Sequence, residues 1–175
     1  MKIYLLGHKG PDLDATCGPI EYAEFLSKIN RYKDAELIPA VCDGTNKETD
    51  YILEKFGVTA PVKISASHIL KEDKIILIAH NEEDQRMDEL FSDQVIEVID
   101  HHKIKVNFPK PIRVDVRPYG SVSSIIYENY VKEGVTPSEK ISKLILSCIL
   151  SDTQGLKSST TTEWDVNSAE DLAKL

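Results

Sequence analysis

The sequence predicts an α/β fold built on a largely parallel sheet flanked by helices. Three observations carry this expectation. Short apolar runs of strand length recur along the chain, segments of helical period separate them, and 175 residues suffice for one substantial core but not for two. In sheets of this kind a ligand sits beyond the carboxyl ends of the strands, so chemistry is to be sought where apolar runs break into polar residues.

Residues 2–7 (KIYLLG) form the first strand-like run and end in glycine. Residues 22–29 then place Ala23, Phe25, Leu26 and Ile29 on one side, the spacing of an amphipathic helix. A second strand follows at residues 36–41, and residues 46–56 return to helical period with Tyr51, Ile52, Leu53 and Phe56 before Gly57 stops the helix. Further strands are predicted at 74–79, 94–100 and 112–116. Two helices come after the last of these: residues 120–133 carry Val122, Ile125, Ile126 and Tyr130, and residues 138–150 carry Ile141, Leu144, Ile145 and Ile149. Residues 161–175 are acidic and then helical, and the chain has no internal repeat or low-complexity tract.

The net charge of -8 argues against duplex nucleic acid as a partner, because that affinity comes from lysines and arginines displacing counterions. Short anions stay within reach, since carboxylates loaded with divalent cations reverse the local sign. No stretch approaches the roughly 18 apolar residues of a membrane span, and the start MKIYLLGHKG has no small-residue cleavage site, so the expected location is the cytoplasm. Cys17, Cys42 and Cys148 are odd in number and far apart, and are expected as buried, inert thiols.

Polar groups end three of the strands: His8 the first, His80 and Asn81 the third, and Asp100, His101 and His102 the fourth. Residues 7–15 (GHKGPDLDA) place one imidazole and two carboxylates, His8, Asp12 and Asp14, on a turn made by Gly10 and Pro11. Such donors suit manganese, magnesium, iron or zinc. The plainer reading is that Asp14 caps a helix starting near Ala15, which leaves His8 and Asp12 unexplained. At residues 98–103 (VIDHHK) two adjacent histidines cannot share a task while the strand lasts, so one imidazole suits a metal and the other a substrate, with Asp100 orienting a ring. Residues 151–162 (SDTQGLKSSTTT) add the carboxylate of Asp152. Lys157 and the hydroxyls there suit phosphate oxygens, although a polar loop closing a helix has the same composition.

The stretches GHKGPDLDA, IAHNE, IDHHK and SDTQGLKSSTTT, in this order over residues 7–162, resemble the DHH phosphoesterase family. The lysine- and hydroxyl-rich fourth stretch and GSVSS at Gly120 are most similar to its manganese-dependent inorganic pyrophosphatase branch and exopolyphosphatase relatives. That resemblance implies hydrolysis of inorganic pyrophosphate with two Mn2+ ions, for which Mg2+ or Co2+ are substitutes. It puts one ion on His8 and Asp12 and the other on Asp14, His101 and Asp152, with a water between the ions as nucleophile. His102 is the catalytic residue it implies, stabilising or protonating the leaving phosphate. Asp100, His80, Asn81 and Lys157 then support the ligands or the substrate. Pyrophosphate or a similar small phosphoanhydride is the expected partner, without duplex nucleic acid or membrane, and an exposed edge strand would also suit a homodimer.

Two departures from the family pattern stand out. The family carries a carboxylate that bridges both ions immediately before the His-Asn pair, and here that position is Ala79, while Glu82, Glu83 and Asp84 lie three or more residues further on. Weakened binding of at least one ion is expected. The pyrophosphatases also have a carboxyl-terminal domain whose cations grip the substrate. On this resemblance residues 1–165 form the metal-binding domain and residues 166–175 begin a linker to a domain not included in the chain. Two other functions compete: a metal-binding regulatory module that has lost catalysis, and a phosphodiesterase for oligonucleotides or cyclic dinucleotides. The second is disfavoured by four phenylalanines, one tryptophan and a negative charge.

Overall fold

The computed structural model describes residues 1–174. It contains β1 (Lys2–Leu6), α1 (Leu13–Lys28), β2 (Glu36–Val41), α2 (Lys47–Phe56), β3 (Val62–Lys63), β4 (Lys74–Ile78), β5 (Val95–Asp100), β6 (Arg113–Val116), α3 (Val122–Lys132), α4 (Glu139–Asp152) and α5 (Glu163–Leu172). The six strands form one parallel sheet in the order β3-β2-β1-β4-β5-β6. The order reverses between β1 and β4, and the crevice at that switch point is where open sheets of this type hold their ligands.

Both faces of the sheet are covered, in different ways. Ile3, Leu5, Ile76, Ile78 and Ile99 point to one face, where they pack with Leu26, Leu53, Ile126, Leu144 and Leu172, so all five helices serve a single core. Tyr4, Leu6, Ile75, Leu77 and Val98 point to the other, where Ile64 and Met87 and the loops around β4 and β5 cover them. Alternation along each strand divides the two sets, and burial on both faces explains why the strands read as unbroken apolar runs.

Most elements lie where the periodicity put them, with four differences. Helix α1 begins at Leu13, nine residues before its clearest apolar stripe, because Asp12 caps it by accepting from the Ala15 amide. The capping expected of Asp14 therefore falls to Asp12. The two-residue β3 escaped the sequence reading, since both of its residues are exposed and give no alternation. Cys17 and Cys148 are buried, whereas Cys42 is only half-buried. Residues 166–172, expected within a linker, form the body of α5, and Ala169 and Leu172 lie in the main core. No helix among the described residues is long and apolar enough to cross a membrane.

Candidate metal centre

The carboxyl ends of β1, β4 and β5 and the last turn of α4 meet over the crevice. Glycine brings the first of them in. Gly7 lies so close to α1 that a Cβ on it would stand 2.0 Å from the Ala15 carbonyl oxygen, and this approach swings His8 over the start of the helix. His8 Nε2 lies 3.6 Å from Asp12 Oδ1, while its Nδ1 donates to the Lys9 carbonyl. Burial works against charge on His8, but the Asp12 carboxylate more than offsets it and raises the pKa.

Asp14 is 1% exposed and is cradled at the amino end of α3. It accepts from the Ser121 and Ser123 hydroxyls at 2.8 and 2.9 Å and from the Val122 amide at 2.7 Å. Hydroxyl and amide donors at the amino end of a helix thus converge on this carboxylate. His101 Nε2 points at Asp14 Oδ2 from 3.7 Å and at Asp152 Oδ2 from 4.0 Å, and its Nδ1 donates to the Tyr119 carbonyl. That bond fixes the tautomer and leaves the Nε2 lone pair for a cation.

Among the described residues, Asp14, His101 and Asp152 form a group whose ligand atoms all lie within 4.8 Å of one another. A cation with bonds of about 2.1 Å needs donors spaced in this range. The donors also need one. Burial, and then the charge of Asp14, push Asp152 up to about 11, so the two carboxylates crowd each other unless positive charge comes between them. Asp100, His101 and His102 form a second such group, but Asp100 Oδ1 is already engaged by the His101 and His102 amides and by His102 Nδ1.

The remaining sequence-singled residues have distinct surroundings. Asn81 donates to Asp100 Oδ2 and to the Lys103 carbonyl, and so braces the aspartate from behind. Burial opposes ionisation of Asp100, yet bonds from His102 and Asn81 hold it below the usual carboxylate range. Its bond in turn raises His102. His80 is fully buried with Nδ1 on the Ile78 carbonyl and no partner on Nε2, and burial pushes it down to about 4. Ala79 is buried at φ 60, a left-handed backbone that aspartate and asparagine adopt more readily than alanine. Glu82 pairs with Lys103. Lys157 is exposed, and Ser158 bonds to Thr160 while Thr162 caps α5.

Sequence reasoning missed the donors around Asp14. The cluster GSVSS before an apolar helix is the signal that marks them, because serines at a helix start offer both hydroxyl and amide donors to an anion.

A parallel sheet with carboxylates and imidazoles gathered at its switch point defines an α/β protein with a candidate metal centre. The model of the DHH family, N-terminal domain, matches residues 2–151, and the chain belongs to that family. It is 36% identical over 174 residues to the manganese-dependent inorganic pyrophosphatase of Methanothrix thermoacetophila, covering 99% of this chain and 54% of the relative. A Bacillus licheniformis protein named a probable manganese-dependent inorganic pyrophosphatase is 38% identical, with 99% and 55% covered. The chain thus spans about half the length of the curated relatives it matches. A crystal structure from Methanococcus jannaschii, assigned to the family II inorganic pyrophosphatases, superimposes with a TM-score of 0.85 at 35% identity, over 99% of this chain and 56% of that one. An exopolyphosphatase-related protein from Bacteroides fragilis shares the fold alone, with a TM-score of 0.78 at 16% identity over 99% and 52% of the two chains.

Proposed function

We propose that this chain supplies the metal-binding half of a phosphoanhydride hydrolase that cleaves inorganic pyrophosphate to two phosphates. The observation that carries the reading is the meeting of Asp14, His101 and Asp152, drawn from three distant stretches, at spacings that one divalent ion bridges. The names of the relatives support Mn2+ as that ion and pyrophosphate as the substrate. A divalent ion at this position supplies charge that offsets the phosphoryl oxygens and acidifies an attacking water.

The protein groups have separate tasks. Asp14 and Asp152 are the anionic donors, and His101 is a neutral donor aligned by Tyr119. His8 and Asp12 give a second ion only two donors, and the methyl group of Ala79, at the end of the strand between them and His101, adds none. The second ion is therefore expected to bind more weakly than the first by more than about tenfold. His102 is half-exposed and takes its proton firmly because Asp100 holds Nδ1, which leaves Nε2 to serve as a proton donor for the leaving phosphate. Residues that grip the far phosphate would come from the half of the relatives that this chain does not span, so turnover by this chain alone is expected to be slow.

Mn2+ titration followed by pyrophosphate turnover tests the reading. His102→Gln is expected to lower turnover by about 10²–10⁴-fold while Mn2+ affinity stays unchanged. Ala79→Asp, whose backbone already suits aspartate, is expected to raise Mn2+ stoichiometry from one to two and to speed hydrolysis. No Mn2+ binding at all sinks the reading. Binding without turnover in both wild type and Ala79→Asp favours a regulatory metal-binding module instead.

A further inference from the structure

One short turn aligns two of the three donors of the metal centre. Asp14 accepts from Ser121, Val122 and Ser123, and His101 donates to the carbonyl of Tyr119. The turn is itself held from behind by the carboxylate of Asp165 on α5, beyond the stretch that the family model matches. Asp165 is completely buried. Its Oδ2 accepts from the Gly120 amide at 2.9 Å and from the Thr162 amide and hydroxyl at 2.7 and 2.6 Å, and its Oδ1 accepts from the Ser124 hydroxyl. Four donors on one buried carboxylate make a stiff node.

The fit around the turn is tight. A Cβ on Gly120 would stand 2.6 Å from Thr153 Cγ2 and 3.0 Å from Asp165 Oδ2. Thr153 directly follows Asp152, so the same seam touches the neighbour of the third donor.

We propose that Asp165 is a positioning residue of the metal centre, setting the Tyr119–Ser124 turn so that Asp14 and His101 face a common point. The proposal rests on the reading that Asp14, His101 and Asp152 hold a divalent ion. Asp165 bonds to none of Asp14, His101 and Asp152 and acts through the turn. The competing role is purely structural, as the cap of α5, and a second residue separates the two. Leu172 lies in the core at the far end of the same helix, 4% exposed, so Leu172→Ala loosens α5 without touching the turn.

The experiment measures Mn2+ affinity by calorimetry on the whole chain, below the melting temperature of each variant. Asp165→Asn presents an NH2 group where donors already converge, and is expected to weaken Mn2+ binding by about 10–100-fold, the range for groups that orient metal ligands. Leu172→Ala is expected to stay within about twofold of wild type while melting at least as early. Should Asp165→Asn fail to fold, Gly120→Ala displaces the same turn with the carboxylate intact and is expected to weaken binding likewise. Folded Asp165→Asn or Gly120→Ala with wild-type affinity overturns the proposal, as does equal weakening by Leu172→Ala. Wild type that binds no Mn2+ overturns the reading of the site itself, and the proposal with it.

Discussion

A single hydroxyl hydrogen illustrates how the residues around the site constrain one another. Ser123 Oγ lies 2.9 Å from Asp14 Oδ1 and 2.7 Å from Glu21 Oε2, yet it has one hydrogen to give. Both contacts are satisfied when Glu21 is the neutral acid, donating to Ser123 while Ser123 donates to Asp14. Burial among α1, α3 and α4, and then the charge of Asp14, push Glu21 up to about 8, although the Cys148 thiol, which donates to Oε1, pulls the other way. The sign of the pH dependence follows. Between about 4.5 and 8 the folded chain keeps a proton that the unfolded chain has lost, so stability falls as pH rises through that window and levels off above it. Glu21→Gln has no such proton. Its stability relative to wild type is expected to climb by up to about 1.4 kcal/mol per pH unit from pH 5 to 8 in urea unfolding. A difference that is flat with pH would refute the neutral acid. Nothing in the sequence marked Glu21, because a lone glutamate in an amphipathic helix reads as solvated, and its bonded partners Ser123 and Cys148 lie 102 and 127 residues away. His8, Asp12, Asp14, His101 and Asp152 were singled out from their residue types, and the structure brings Asp14, His101 and Asp152 together and sets His8 beside Asp12.

Among the elements, the contact between β1 and α1 matters most to the site, because it places His8 beside Asp12. Gly7→Ala sets a methyl group against backbone rather than against a yielding side chain, so the strand end and the helix must part. The expected loss is about 3 kcal/mol or more in denaturant unfolding, at the upper end for overpacking, accompanied by weaker Mn2+ binding. Gly18→Ala tests the same helix further along. There a Cβ would meet Ile78 Cγ2 at 2.7 Å and Val122 Cγ1 at 3.3 Å, both on fully buried residues, so the helical preference for alanine is expected to lose to the clash. The stop at Gly57 was readable and ends α2 at φ 60, and the helices expected from residues 46, 120 and 138 begin directly after Asn46, Ser121 and Ser138. Thr162 and Asp165 also spell a capping box, a signal present in the sequence whose partner, the Gly120 turn, was not.

For the whole molecule, metal and fold are linked, since donors that converge only in the native state bind only there. Mn2+ at about a hundred times its dissociation constant is expected to stabilise the chain by about 2.7 kcal/mol, seen as a rise in melting temperature. His101→Ala is expected to abolish the rise, and a rise that persists would place the ion elsewhere. The sequence by itself determined the α/β class, the run of strands and helices and the residue types offered to a cation, because periodicity and side-chain chemistry are local properties. Only the tertiary structure decided that β1 and β4 lie side by side at a switch point, that Asp14 rests on the amino end of α3 while Asp12 does the capping, and that Asp165 holds the turn between them. Those relations join residues far apart in the chain, and they exist only once two apolar faces of one sheet have been buried.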